Sequence, residues 1–226
     1  MRFVSILSAV FFVSFSSKLS GATNALASPL PIAAKQDSDS SRAFDEIFSK
    51  LRSEADLSVT FEQYFEKKLR KIKGKKTGRA YFQRPAKFRW VIDKPMASEW
   101  VYTGSDLVSF DPKTKQGISY SASGEKSRSL REIVDLILHP EALKQAYHIL
   151  SVNKDKAKAT LVISPKAKNE IEKIELIFDL DQSFVCELRL LFDSKNQTTF
   201  QFRKVKEKVD SSLFAIPGGL TLRKVS

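Results

Sequence analysis

Apolar side chains recur at every second position in six segments of this chain, and this alternation constrains the fold more than any other feature. The segments span 57–65, 88–92, 161–163, 174–180, 184–192 and 200–202. Successive side chains of a β-strand point to opposite faces, so each segment has one apolar and one polar face. Turn signals such as Gly104-Ser105-Asp106 and Asp111-Pro112 separate them. The pattern predicts an antiparallel meander.

Two other segments have helical periodicity. In the first, apolar residues follow a predicted cap at Ser40 or Ser41, and they are Phe44, Ile47, Phe48, Leu51 and Ala55. The second lies in the middle of the chain, from Ser129 to Leu138, and its stripe comprises Leu130, Ile133, Val134, Ile137 and Leu138. His139-Pro140 is expected to end this helix, and Glu141–Tyr147 to add one or two turns.

A sheet with so many one-sided strands must curl, and few helices are available to cover its apolar face. We therefore predict a mostly β fold, a curled antiparallel sheet covered by the N-terminal helix and the central helical insert. A space between this lid and the sheet would suit an apolar ligand, whereas side chains that filled it would leave no room. The side chains predicted to face that space are Phe44, Phe48, Phe61, Phe88, Trp90, Trp100, Leu130, Ile133, Val134, Ile137, Phe178 and Leu188.

The N-terminal segment has the features of an export signal. A positive start, Met1-Arg2, precedes the apolar run Phe3–Phe15, which is short for a membrane span. Ala25-Leu26-Ala27 then offers a small-residue cleavage site. We predict a signal peptide over residues 1–27, a flexible leader over 28–41 and one domain over 42–226. An uncleaved membrane anchor is the alternative, and the mature protein is expected to be exported.

Cysteine and charge limit the remaining possibilities. The chain has one cysteine, Cys186, so it has no intramolecular disulfide, and its place in an apolar alternation indicates packing. The net charge is +12. Eight cations cluster between residues 67 and 79 around a predicted hairpin tip at Gly74, and they are Lys67, Lys68, Arg70, Lys71, Lys73, Lys75, Lys76 and Arg79. A solvated hairpin and a site for anionic membrane headgroups both remain open, while export disfavours nucleic acid.

Enzymatic chemistry has little support in the sequence. The two histidines, His139 and His148, lack metal-ligand spacing, and neither a nucleophile elbow nor a phosphate-binding loop is present. We expect no enzyme activity, no cofactor and no metal.

Several short motifs, in order, resemble the outer-membrane lipoprotein carrier family, LolA. The matching pieces are Phe61-Glu62-Gln63, Arg84-Pro85 with Phe88-Arg89-Trp90, Pro95, Gly104-Ser105-Asp106, Phe110-Asp111-Pro112, Ile163–Lys166 and Phe214–Gly219. The resemblance extends from about Ala43 to Leu222. It implies an incomplete, half-open antiparallel barrel, covered by helices, that carries the acyl chains of lipoproteins in the periplasm. Cargo would come from an inner-membrane ABC-type complex and go to an outer-membrane acceptor, if one exists.

The resemblance also implies a role for Arg84. The matching arginine of the family bonds backbone groups of the lid helices and holds the empty cavity shut, and Pro85 would fix the local backbone. Without the resemblance, an ordinary surface cation is the alternative. A monomer is expected. Other candidate functions are an outer-membrane acceptor, a carrier or sensor of phospholipid or glycolipid, and a lipid-modifying hydrolase.

Overall fold

The computed structural model describes residues 33–50, 56–67, 71–121, 124–139, 143–167, 170–193 and 196–225. Its α-helices are α1 (Ala33–Lys50), α2 (Glu125–Leu138) and α3 (Leu143–Ala146), and a 3-10 helix covers Ser211–Phe214. The strands are β1 (Asp56–Lys67), β2 (Ile72–Gln83), β3 (Lys87–Lys94), β4 (Ser98–Tyr102), β5 (Leu107–Phe110), β6 (Gln116–Tyr120), β7 (Tyr147–Lys154), β8 (Lys158–Pro165), β9 (Lys173–Asp179), β10 (Phe184–Asp193), β11 (Asn196–Lys204) and β12 (Thr221–Val225). The predicted signal peptide lies outside the described residues.

The strands form one open sheet in the order β12-β6-β5-β4-β3-β2-β1-β11-β10-β9-β8-β7. Two antiparallel meanders, β1 to β6 and β7 to β11, are joined where β1 pairs with β11 and Phe61 lies opposite Phe202. The last strand, β12, runs parallel to β6 and places Leu222 opposite Gly117. The mostly β fold class and its unclosed sheet are therefore confirmed.

The alternation of the sequence becomes the two faces of this sheet. Side chains of the apolar set are almost fully buried along the second meander, and these include Leu161, Ile163, Ile174, Leu176, Phe178, Leu188 and Leu190. Cys186 breaks the pattern because the pairing of β9 and β10 shifts register between Val185 and Glu187. The cysteine is only half-buried, and its Sγ lies 3.4 Å from the carbonyl oxygen of Ile177.

Gly74 is not the tip of the first hairpin, so that prediction was wrong. Strand β1 continues to Lys67 and β2 begins at Ile72, which places the connection at residues 68–71, where Lys71 has a φ of 51°. Gly74 instead pairs with Phe65, whose ring occupies the space that a Cβ would need. The glycine thus leaves room for an aromatic ring of the neighbouring strand.

The helices also differ from the expectation at their starts. Helix α1 begins at Ala33, so Ser40 and Ser41 lie inside it, and residues 33–41 are helical where a flexible leader was predicted. Leu51 and Ala55, the end of its predicted stripe, lie outside the described residues. Helix α2 begins four residues before Ser129 and ends at Leu138, and α3 supplies the expected additional turn.

Gly78 lies where three central strands approach closely. It is opposite Phe61 on β1 and Ile92 on β3, and a Cβ on it would lie 1.9 Å from the backbone oxygen of Val91. We expect Gly78→Ala to lower the free energy of unfolding by about 2 kcal/mol, because backbone must shift to admit the methyl group. Urea denaturation measures the change.

The matched control is Gly218→Ala, since a Cβ at Gly218 meets no atom within 4 Å. We expect this variant to stay within about 0.5 kcal/mol of the wild type. Equal effects of the two substitutions would contradict the close approach at Gly78.

Candidate functional site

Trp90 lies at the centre of the apolar face of the sheet. Its ring centroid is 4.4 Å from that of Phe61, and Phe82, Phe200 and Phe202 present their edges or faces to it at 5.7 to 6.3 Å. These residues come from β1, β2, β3 and β11, which are adjacent in the sheet. Such edge-to-face contacts are favourable beyond the area that they bury. The centre of the sheet therefore offers a continuous aromatic surface.

Helix α2 contributes the second apolar surface. Leu136 is buried, and so is the whole predicted stripe, which comprises Leu130, Ile133, Val134, Ile137 and Leu138. The sequence prediction missed Leu136 because it lies beside the narrow stripe of three- and four-residue spacings. The buried surface of α2 is thus wider than the apolar stripe of a typical surface helix, although Asp135 is exposed.

Helix α1 is fastened to the β7 side of the fold. Phe44 and Ile47 are buried, and Lys144 of α3 lies over the Phe44 ring, 4.9 Å from its centroid. The Lys144 ammonium also donates to Ser41 Oγ over 3.0 Å, and Lys154 of β7 pairs with Glu46. The N-terminal helix is therefore tied by polar contacts to the end of the sheet that follows α3.

Arg84 contacts the end of helix α2. It lies in the turn between β2 and β3, and its Nη2 donates to the carbonyl oxygen of Leu138, the last residue of the helix. Beside it, His139 Nε2 lies 2.6 Å from the carbonyl oxygen of Pro85. The last carbonyls of a helix lack intrahelical partners, so a cation there is favourable. The turn carrying Arg84 and Pro85 and the end of α2 thus form one junction.

The start of α2 is attached in another way. Ser127 is buried, and its hydroxyl donates to the carbonyl oxygen of Ser121 over 2.7 Å. The amide of Gly124 donates to the same oxygen. Helix α2 is therefore held near both of its ends by hydrogen bonds, with apolar contacts between them.

The structure buries the predicted cavity residues whose side chains it describes. Phe88, Trp100, Phe178 and Leu188 join the sheet and helix residues named above in the core. The side chain of Phe48 lies outside the described part of the structure. A pocket of about 290 Å³ lies elsewhere, on the polar face, beside Thr60, Arg79 and Arg203. This pocket is not the predicted apolar cavity.

Arg89 has a structural role that the sequence did not reveal. Its Nη1 donates to the carbonyl oxygen of Leu213 over 3.0 Å, and its Nε donates to Glu99 over 3.0 Å. It thereby holds the C-terminal 3-10 helix against β3, next to the motif residues Phe88 and Trp90. Leu213 lies 124 residues away in sequence, so local sequence patterns do not reveal this contact.

The described cations between residues 67 and 79 do not all lie on one exposed surface. Lys73 and Lys75 pair with Glu66 and Glu62 on the outer face of the β1–β2 hairpin, while Lys68 and Arg70 lie outside the described residues. Lys67 lies at the end of β1, Lys71 is exposed in the turn, and Arg79 is exposed on β2.

Lys76 contradicts the prediction of a wholly exposed basic hairpin. It alternates with Lys75 along β2, so it points to the apolar face, where it pairs with Gln63 across the strands. Both side chains are buried, with 7% and 1% of their surface exposed. Burial lowers the pKa of Lys76 to about 8, because the charged form loses hydration.

Two classes of site are absent from the described residues. They contain no group of three or more histidine, cysteine or acidic side chains placed to hold a metal ion. Among these same residues, every helix is too short or too polar to cross a lipid bilayer.

The geometry agrees with a comparison of the sequence with known families. A family model described as "Outer membrane lipoprotein carrier protein LolA" matches residues 52–217. The chain belongs to this family. The resemblance found in the motifs is thereby confirmed, and the matched range includes both the Arg84 junction and α2. No curated protein matches the chain in sequence.

Several solved structures resemble the LolA-family chain at low identity. A DUF1329 family protein from Desulfovibrio piger shares 9% identity and a TM-score of 0.46, with 80% of this chain and 97% of that one covered. A LolA superfamily protein from Nitrosomonas europaea has 10% sequence identity and a TM-score of 0.40, and the match covers 77% of this chain and 96% of that one. A chain of a MucA/MucB complex from Pseudomonas aeruginosa has 14% sequence identity and a TM-score of 0.37, and the match covers 77% of this chain and 61% of that one.

The pKa of Lys76 predicts a specific pH dependence of stability. Between pH 8 and about 10.5 the unfolded chain keeps the Lys76 proton while the folded protein has released it, so stability rises with pH across this window. We expect Lys76→Met to lack this part of the rise. The Tm at pH 10 minus the Tm at pH 7.5 should therefore be more positive in the wild type than in the variant, by ~4 °C.

Lys75→Met is the control, since Lys75 is exposed and pairs with Glu62 at the surface. Differential scanning calorimetry should give this control the same pH profile as the wild type. A wild-type profile in Lys76→Met would show that Lys76 is hydrated in the folded protein.

Proposed function

We propose that this protein is a periplasmic carrier of lipoproteins: it binds their acyl chains after release from the inner membrane and delivers them to the outer membrane. The observation that carries the proposal is the junction between Arg84 and the end of α2. It fastens an apolar helix by a contact that can break while the sheet stays intact. Membership of the carrier family supports the same role.

The energetics of such a carrier follow from the apolar interior. Each methylene of an acyl chain gains about 0.8 kcal/mol when it leaves water, so a soluble shuttle must supply an apolar surface. The ring cluster around Trp90 and the underside of α2 are such surfaces. Both surfaces are buried in the empty protein. We propose that they cover each other there, so that a ligand must displace that contact.

Opening requires the loss of the Arg84 hydrogen bond. A hydrogen bond to a charged group contributes roughly 1.5–3 kcal/mol, and burial of about four methylenes would offset it. The hydrogen bonds of Ser121 at the other end of α2 would keep the helix attached. We propose that the helix moves at its Leu138 end and admits the chains there.

The proposed route has a donor and a recipient. Cargo would come from an ABC-type complex of the inner membrane and pass to an outer-membrane acceptor, if one exists. The exposed cations of the β1–β2 hairpin, Lys71 and Arg79 among them, would attract anionic headgroups at either membrane. The protein would act as a monomer and as a carrier rather than an enzyme.

A carrier of phospholipid or glycolipid is the second candidate. Aromatic and aliphatic surfaces bind acyl chains of any origin, so the ring cluster favours acyl cargo without naming its source. Mass spectrometry of ligand that co-purifies with the periplasmic protein distinguishes the two. Acylated protein supports the first candidate, and free lipid supports the second.

Arg84→Leu tests the proposed release step. The substitution removes the bond to Leu138, so the closed empty state loses stability and the loaded state does not. We expect the Tm of the empty protein to fall by ~5 °C and the affinity for a triacylated lipopeptide to rise about tenfold. Transfer of that lipopeptide from the protein to liposomes should slow correspondingly.

Arg203→Leu is the matched control, because Arg203 is an exposed arginine on the opposite face of the sheet. It should transfer the lipopeptide at the wild-type rate. Wild-type affinity and transfer in Arg84→Leu would refute the proposed latch, and failure of the wild type to bind the lipopeptide would refute the carrier function itself.

A further inference from the structure

Two polar atoms are buried in the aromatic part of the interior without a hydrogen-bond partner among the described residues. They are the amide oxygen Oε1 of Gln63 and the indole Nε1 of Trp90. The two side chains are 1% and 9% exposed. Folded proteins pair nearly all such atoms because an unpaired one costs stability, so each exception needs an explanation.

The two atoms belong to side chains that share the same neighbours. Phe200 lies directly across the strands from Gln63, and Phe61 is two residues before Gln63 on the same face of β1. Both rings contact Trp90, with centroids at 5.7 and 4.4 Å. Gln63 and Trp90 therefore flank one pair of phenyl rings on the face that we propose to bind acyl chains.

Their chemistry is complementary to one kind of group. The indole N–H can only donate, and the glutamine oxygen can only accept. A secondary amide has one carbonyl to accept and one N–H to donate, so it would satisfy both atoms. An ester has no donor and would leave Gln63 unpaired, and a hydrocarbon chain would satisfy neither.

We propose that the interior recognises the amide that joins an acyl chain to a peptide amino terminus. Trp90 Nε1 donates to the carbonyl of this amide, and the amide N–H donates to Gln63 Oε1. The inference rests on the proposed carrier function and narrows its cargo to N-acylated peptides. Displacement of α2 by the acyl chain would open the space for the amide beside the two rings.

A carboxylate ligand is the competing outcome. Lys76 lies across the strands from Gln63 and is buried with it, so a free fatty acid could place its carboxylate there. A neutral amide is favoured because its donor and its acceptor match both Gln63 and Trp90. The experiment therefore includes a fatty acid as a third probe.

Three probes with the same palmitoyl chain test the inference by isothermal titration calorimetry. The first is an N-palmitoyl-glycyl peptide, the second is the same peptide with N-methylglycine at the acylated position, and the third is palmitate. Methylation deletes the N–H and keeps the carbonyl. We expect the wild type to bind the first probe about tenfold more tightly than the second.

Substitutions then assign the preference to the two residues. Gln63→Leu keeps the side-chain size, and we expect it to bind the first two probes equally and to melt no lower than the wild type. Trp90→Phe should weaken both peptides to a similar extent, because both keep the carbonyl. Gln201→Leu, on the opposite face of the sheet, should retain the tenfold preference.

The results separate this inference from the function on which it rests. Equal binding of the two peptides by the wild type, or a preference that survives Gln63→Leu, would overturn the inference and leave the carrier function standing. Tighter binding of palmitate that is lost in Lys76→Met would also overturn it, in favour of a carboxylate site. A wild type that binds none of the three probes would overturn both.

Discussion

The structure depends on keeping the apolar face of one twelve-stranded sheet out of water. Most strands direct their apolar positions to this one side, whereas Val101, Val108 and Phe110 form a separate, smaller buried cluster. A closed barrel would bury that face by itself, but this sheet remains open and needs another element to cover it. For this reason, helix α2 has a wider apolar surface than a surface helix usually has. The cover and the proposed cargo would compete for one surface, so the contacts that hold the cover decide when cargo enters.

Those contacts are polar and lie at the ends of the helix. A terminal carbonyl such as that of Leu138 has no partner within its own helix, so Arg84 can bond it without disturbing the helical ladder. Once the helix moves away, water can take the place of the guanidinium, which keeps the cost of opening modest. A buried ion pair would be a poor substitute, since its separation would leave a charge unpaired. A charge-assisted bond to a backbone oxygen suits a cover that must open repeatedly.

The alternation of the sequence was enough to predict six of the twelve strands, namely β1, β3, β8, β9, β10 and β11, because a strand with one buried face has apolar residues at every second position. The other six strands were not among the alternating segments. The interest in Arg84 came from the motif resemblance. The structure shows its hydrogen bond to the carbonyl oxygen of Leu138. The failures occurred where a neighbouring strand decides the outcome. Gly74 suggests a turn in isolation, yet it serves the ring of Phe65 across the hairpin. Cys186 continues the apolar pattern in sequence but sits at a shift in register.

Lys76 shows the same limitation with a larger consequence. In the sequence, Lys76 stands among seven other cations and suggests one more surface charge. Only the register of β2 against β1 shows that its side chain points to the interior beside Gln63. The apolar interior thus contains polar groups that lower the stability of the empty protein. Burial lowers the pKa of Lys76, and Gln63 Oε1 and Trp90 Nε1 have no hydrogen-bond partner among the described residues, so all three oppose folding. Hydrocarbon binding alone gives no reason to keep them, because leucine or phenylalanine would serve better at each position. Their presence is accounted for if the cargo carries a polar linkage into the interior. These groups then lower the stability of the empty protein, but in the loaded protein they select the cargo that can pair with them.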